Sequence, residues 1–307
     1  MELLYFFESI RIPVLNEFML FVTQFGEETA FLVVALILFW CVDKYKGYFI
    51  LSVGFIGTLF NQFLKLWFRI PRPWVLDENF TILEQAREAA SGYSFPSGHT
   101  QSAVGTFGGI FITERNKYIR LAALCIAVLV PLSRMYIGVH TPLDVFVSVG
   151  IAILLLVVLK SIILGNSRKS IPVMLVLMSV LAISFLLFVE CYPFPADIDP
   201  HNYQSGVNNA YTLLGALSGL VIVYIVDEKW IQFSTKAVWW FQIIKVIGGL
   251  CFVLLVKSGL KMPLNYLFGE NIGRGIRYLL IVLVAGILWP YIFSRFQKMG
   301  TRSNICI

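Results

Sequence analysis

Charge is scarce in this sequence. Only 14% of its 307 residues are Asp, Glu, Lys or Arg, against 58% hydrophobic and 15% aromatic, with a mean hydropathy of +0.79. That balance excludes an ordinary soluble domain. Histidine is scarcer still, at three residues. The five cysteines follow no disulfide or metal-site spacing: Cys41, Cys125 and Cys251 fall inside apolar runs, while Cys191 and Cys306 stand isolated near the ends of such runs or of the chain. A net charge of +6 is present without clustered Lys and Arg, which argues against nucleic acid as a partner. The basic residues sit at the ends of apolar runs, where membrane topology and anionic lipid account for them. No short apolar segment with a small-residue cleavage site follows the acidic Glu2 and Glu8, so the N-terminus is expected to be retained.

Apolar sequence of spanning length is abundant, a span needing about 20 residues at about 1.5 Å rise each. The runs 29–43, 48–68, 98–113, 118–136, 142–163, 171–190, 208–226, 244–262 and 277–294 predict an all-α, polytopic membrane bundle of about nine spans. Residues 5–25 mix Phe6, Phe7, Ile10 and Phe18 with Glu8, Arg11 and Glu17, broken by Pro13, and predict an interfacial helix. If 43–47 is cytoplasmic, alternate loops carry Lys44 and Lys46; Arg115, Lys117 and Arg120; Lys160, Arg168 and Lys169; Lys229 and Lys236; and the tail has Arg295, Lys298 and Arg302. This satisfies the positive-inside rule. Residues 190–209, with Glu190, Asp197, Asp199 and no Lys or Arg, then face the other side. The exception is 257–277, with Lys257, Lys261, Arg274 and Arg277. These read first as interfacial anchors, with lipid head-group binding or a miscounted span as alternatives. Lys245, after Trp239 and Trp240, reads as snorkelling to an aromatic belt.

Most of the remaining chemistry falls into three short blocks, each where an apolar run meets a loop. Lys65 and Arg72 bracket the end of the second run, and Arg72-Pro73 predicts an extended exit. Lys65 offers a point charge and Arg72 a fork that fits two oxygens of one anion, although cations at a span end are also common anchors. Pro96-Ser97-Gly98-His99 opens the third run: Ser97 is an N-cap, Gly98 allows close approach to backbone N–H groups, and His99 can pass a proton to a leaving oxygen. In the third block, Ser133-Arg134 precedes His140-Thr141-Pro142-x-Asp144. Thr141 and Pro142 read as N-cap and first helical residue, which puts Asp144 in the first turn, beside His140. A carboxylate there can hold one imidazole nitrogen and leave the other with its lone pair free, as a nucleophile or base requires, or simply complete a capping box with Thr141. Together Lys65, Arg72, Ser97, Gly98 and Arg134 make an anion cradle, with His99 and His140 as acid and nucleophile. Charge stabilisation and positioning are what phosphoryl transfer needs.

These blocks match, position by position, the signature of the type 2 phosphatidic acid phosphatase superfamily, which the chain resembles over residues 48–163. The resemblance implies a six-helix phosphatase core within residues 1–165, the interfacial N-terminal helix included, and additional C-terminal spans in 166–307. It further implies His140 as the nucleophile of a phosphohistidine, Asp144 as its orienting partner and His99 as the acid. Lys65, Arg72, Ser97, Gly98 and Arg134 are implied to bind phosphate, with no metal and no cofactor required. The expected substrate is a lipid phosphate or diphosphate, hydrolysed among membrane lipids at the non-cytoplasmic face, with compact loops suggesting a bacterial plasma membrane. Hydrolysis of a soluble sugar phosphate, of the kind glucose-6-phosphatase performs, and phosphotransfer to a lipid or glycan are the enzymatic alternatives. Against a transporter stand the few ionisable residues at mid-span depth and the lack of a clear inverted repeat; a scaffold would not need both histidines and the aspartate. Residues 77–90, where Phe80, Leu83 and Ala90 alternate with Glu78, Glu84, Gln85, Arg87 and Glu88, predict a short amphipathic helix over the site, either a lid or a plain connector. Oligomeric state is not legible.

Overall fold

A computed structural model describes residues 1–87, 90, 92–165 and 167–302. Glu88 and Cys306, and the side chains of Arg168, Lys169, Lys298 and Arg302, lie outside the described residues. Helices and their connections make up the described chain, with no strand among them. In order they are α1 (Glu2–Ser9), α2 (Pro13–Thr23), α3 (Glu28–Ile37), α4 (Lys44–Phe68), α5 (Pro73–Leu76), α6 (Gly98–Thr113), α7 (Lys117–Tyr136), α8 (Pro142–Leu159), α9 (Ser167–Cys191), α10 (Pro200–Val226), α11 (Trp239–Gly259), α12 (Lys261–Phe268), α13 (Glu270–Leu283) and α14 (Trp289–Arg302). Among the described residues seven helices are long and apolar enough to cross a membrane, or eight with the bent pair Pro13–Gly26 and Glu28–Val42 taken as one span. Each apolar run of the sequence is helical. The count of long spans falls below nine because run 98–113 folds as 16-residue α6, and run 29–43 belongs to that bent pair. The expected interfacial helix over 5–25 is two helices, because Pro13, lacking an N–H, starts a new one at its first position.

The chain forms two compact units, one of Met1–Val34, Phe49–Gly165 and Cys191–Gly206, the other of Ala35–Tyr48, Asn166–Glu190 and Val207–Ile307. In the first, Val22, Ala103, Phe107, Ala123, Ala127 and Val130 bury one another where α2, α6 and α7 meet. Small residues set the spacing of α6. A Cβ at Gly105 would lie 2.9 Å from Val53, and one at Gly109 would lie 2.2 Å from Ile50, so both glycines let α4 pack directly on the α6 backbone.

Among the described residues, 77–87 do not form the expected helix. Apart from one short turn at Glu84–Ala86 they are irregular, and Phe80, Ile82, Ala86 and Ala90 are buried. The reason is competition for its backbone groups: Glu8 accepts from the Thr81 N–H, Arg11 donates to the Thr81 carbonyl, and the Leu83 N–H donates to the Ile137 carbonyl at 3.1 Å. The segment is thereby pinned over the 135–139 stretch rather than free to lie on an interface, and its apolar side chains fill the core beside Leu4, Met135, Tyr136 and Val139.

In the second unit two basic residues depart from expectation. Lys245 is fully buried instead of snorkelling: its ammonium faces the carbonyls of Trp40, Ser234 and Thr235 at 3.2–3.5 Å and the Phe293 ring at 4.6 Å. Those carbonyl dipoles and the ring face replace water around the charge. The 257–277 region is not a loop but the end of α11, then α12 and α13, the last two joined at Gly269. Arg277 is 5% exposed, too buried for an interfacial anchor, because α13 turns that face inward where Gly273 meets the Leu264 carbonyl of α12.

Candidate active site

The last turn of α4 delivers Lys65, whose ammonium donates to the carbonyls of Tyr93 at 2.5 Å and Ser94 at 3.5 Å. Arg72 has the extended backbone that its following proline demands. Its Nε donates to the Gly92 carbonyl at 2.9 Å, and its Nη1 donates to the Val139 carbonyl at 2.8 Å. The guanidinium is thus pre-set by two carbonyls before any ligand arrives.

Ser97 caps α6, its hydroxyl accepting from the Thr100 N–H at 3.4 Å, and its own N–H donates to the Asp144 carbonyl at 3.3 Å. That bond ties the start of α6 to the first turn of α8. Gly98 and His99 follow as the first residues of α6, and both line one pocket. Arg134, in the last turn of α7, donates from Nη1 to the Thr23 hydroxyl at 2.7 Å, while its buried Nε has no partner among the described residues.

His140 lies in the turn between α7 and α8, formed as Val139 N–H donates back to Arg134 and Gly138 takes φ +88°. Thr141 and Asp144 complete the anticipated capping box: the Thr141 hydroxyl accepts from the Asp144 N–H, and Asp144 Oδ2 accepts from the Thr141 N–H at 2.7 Å. The same Oδ2 accepts from the Ser94 hydroxyl at 2.5 Å and lies 3.4 Å from His140 Nδ1. Capping and orientation are therefore one arrangement here, not alternatives. Arg72 Nη1 stands 3.0 Å from His140 Nε2. Nη1 also lies 3.5 Å from His140 Nδ1, so the guanidinium sits against both ring nitrogens. The Ser94 hydroxyl and Asp144 Oδ2 each lie 3.4 Å from Nδ1. A ring hydrogen on Nδ1 would face that carboxylate and leave the lone pair on Nε2.

Burial, followed by the charges of Arg72, Arg134 and Lys65, holds the His140 pKa well below its usual 6.5. The imidazole is therefore neutral at neutral pH. The same shift predicts a pH effect on stability. Below about 6.5 the unfolded chain takes up a proton at this position that the folded chain refuses, so stability falls as pH drops. Thermal unfolding between pH 7.5 and pH 5 is expected to show that loss in the wild type, with a shallower decline in His140→Gln.

A pocket of about 140 Å³ is lined by Lys65, Arg72, Gly98, His99, Arg134 and His140, together with Asn61, Gln62, Leu66, His201, Asn202 and Ser205. Six of the eight residues anticipated from sequence face it, and the other two, Ser97 and Asp144, are fully buried among their partners. Sequence reasoning missed Ser94, Asn61, Gln62 and the first turn of α10. Ser94 is two residues before Pro96 and carried no motif signal. His201 stands 61 positions beyond His140 in the sequence, outside all three blocks.

Such a site offers three cations around one small cavity, the imidazoles of His99, His140 and His201 lining it, and the buried Asp144 carboxylate beside His140. The comparisons with known proteins agree with that chemistry. Residues 45–168 match the PAP2 superfamily model, and residues 211–302 match the model described as PAP2 superfamily phosphatase, transmembrane extension. Phosphatidylglycerophosphatase B of Bacillus subtilis is 32% identical over 49% of this chain and 76% of that protein. Undecaprenyl-diphosphatase BcrC of the same organism is 30% identical over 46% of this chain and 72% of its own length. Human sphingosine-1-phosphate phosphatase 2 is 26% identical over 94% of this chain and 70% of that protein. No solved structure matches. On the strength of the two family models and of relatives spanned over most of their length, the chain belongs to the PAP2 superfamily, as a multi-pass membrane phosphatase acting on phosphate esters or diphosphates.

Proposed function

We propose that this protein hydrolyses the phosphate or diphosphate of a membrane lipid through a phosphohistidine on His140. One observation carries the reading: His140, with Asp144 Oδ2 3.4 Å from its Nδ1, lines one pocket together with Lys65, Arg72 and Arg134. The phosphate enters between Arg72 and His140, takes over the guanidinium, and lies against Lys65, Arg134 and the N-terminal N–H groups of α6. Nε2 attacks phosphorus while the bond to the leaving oxygen breaks, and His99, having taken up a proton beside the bound phosphate anion, gives it to that oxygen. Asp144 stabilises the imidazolium that forms as Nε2 bonds phosphorus. His99, now lacking its proton, takes one from a water that attacks the phosphohistidine, which releases phosphate and restores His140. In this reading residues 1–165 supply the chemistry and 166–307 add further spans, with the site on the non-cytoplasmic side that the loop charges favour.

The names of the relatives, a phosphatidylglycerophosphatase, undecaprenyl-diphosphatases and sphingoid-phosphate phosphatases, support a lipid substrate. Among the described residues no group of three His, Cys, Asp or Glu could hold a metal ion, so the reading uses no metal. Purified protein should release phosphate from a lipid phosphate in mixed micelles with kcat/KM at least about tenfold above that for a soluble sugar phosphate, and EDTA should leave the rate unchanged. Equal or better turnover of the sugar phosphate, or loss of activity on chelation, would contradict it.

A further inference from the structure

One wall of the pocket comes from outside both family-matched segments. Pro200, which opens α10, and Asn202 in its first turn fall between residues 168 and 211. Asn202 is buried, and its amide is bonded at both its nitrogen and its oxygen. Its Nδ2 donates to Asp199, whose carboxylate also accepts from the main-chain N–H groups of His201 at 3.2 Å and Asn202 at 3.3 Å. A carboxylate accepts only, so the amide is oriented with its oxygen on the other side. That oxygen accepts from the Tyr93 N–H at 2.7 Å. Tyr93 is held a second time at its far end, where the phenol oxygen accepts from the Asp199 N–H at 3.2 Å.

The turn held in this way sets the phosphate cations. The Tyr93 carbonyl receives Lys65 Nζ at 2.5 Å, the adjoining Gly92 carbonyl receives Arg72 Nε at 2.9 Å, and the following Ser94 hydroxyl reaches Asp144. Each of these groups therefore belongs to the residue that Asn202 contacts or to its immediate neighbour. Gly92 makes the fit possible: its φ is +87°, and a Cβ there would lie 2.3 Å from Asn202 Oδ1. Anchoring groups that hold a catalytic constellation matter because an error of about 1 Å in such a site costs up to about 100-fold in rate.

We propose that Asn202 is a positioning residue for this phosphatase: anchored by Asp199, it fixes the Gly92–Tyr93 turn and through it the stations of the Lys65 ammonium and the Arg72 guanidinium around the bound phosphate. The inference rests on the proposed anion site, but not on any particular lipid. It gives the segment before the transmembrane extension a part in holding the phosphate cradle, and it predicts that the cradle is loosened by changes at Asp199, Asn202 or Gly92, none of which needs to touch phosphorus.

The test measures orthophosphate binding by calorimetry, lipid-phosphate turnover and thermal unfolding on the full-length protein in detergent. Asn202→Ala should weaken orthophosphate binding and lower kcat/KM, each by about 10- to 100-fold, with the unfolding midpoint close to wild type. Gly92→Ala should do the same, since its Cβ displaces the Asn202 amide. The pair Asp199→Asn with Asn202→Asp exchanges donor and acceptor while keeping an oxygen toward Tyr93, and should recover most of both losses. Unchanged phosphate binding in Asn202→Ala would overturn the proposal, as would losses that track thermal destabilisation and resist the exchange. If the wild type bound orthophosphate but failed to hydrolyse any lipid phosphate, the proposed function would fail while the binding comparison still decided the part played by Asn202.

Discussion

His140→Ala is expected to reduce phosphate release by about four orders of magnitude or more, the scale on which removing a nucleophile or its base silences a hydrolase. In the proposed mechanism the imidazole supplies the bond-forming lone pair. Lys65, Arg72 and Arg134 are cations, Asp144 is turned toward Ser94 and Thr141, and His99 is needed to protonate the leaving oxygen. The cradle itself should survive, because Arg72 keeps its bonds to the Gly92 and Val139 carbonyls and Lys65 its bond to Tyr93. Steady-state assays and orthophosphate calorimetry on one preparation should therefore show lost turnover with binding retained. Residual activity above about 1% of wild type would place the nucleophile elsewhere.

Asp144→Asn is expected to lower kcat by about 10³- to 10⁴-fold, the cost of a misassigned imidazole in the best-measured hydrolase triads. Oδ2 of Asp144 is the shared acceptor for the Ser94 hydroxyl and the Thr141 N–H, with His140 Nδ1 3.4 Å away. An amide oxygen in that place can keep the cap. It carries no full charge, however, to offset the imidazolium that forms during attack, and its NH2 end can favour the tautomer with the hydrogen on Nε2, which removes the attacking lone pair. The charge develops on the way to the transition state, so the loss should fall on kcat with KM little changed. A rise in KM at constant kcat would mean that Asp144 serves substrate binding instead.

Much of the site was legible because the chain is so apolar: reactive side chains at the ends of greasy runs stand out against Leu, Val and Phe. The three blocks converge on one pocket as their spacing required, and Thr141-Pro142-x-Asp144 forms the capping box read from its residue types. What escaped notice depends on partners distant in sequence. Asn202 and Tyr93 are separated by 109 positions, and no local pattern marks either. Residues 77–90 have a helix-like alternation, yet they fold irregularly because Glu8 and Arg11 of the N-terminal segment claim the Thr81 backbone. Lys245 and Arg277 were misread for a related reason. A basic residue at the edge of an apolar run looks the same whether it reaches for the interface or turns inward, and only packing decides which.

The most direct test of the account is to trap the intermediate by acid- and base-controlled rapid quench of enzyme with a lipid phosphate radiolabelled at phosphorus. The account predicts transient, acid-labile and base-stable label on a single peptide containing His140, absent in His140→Ala and accumulating only before phosphate appears. Burst-free turnover with no protein-bound label, or label that persists in His140→Ala, would contradict it.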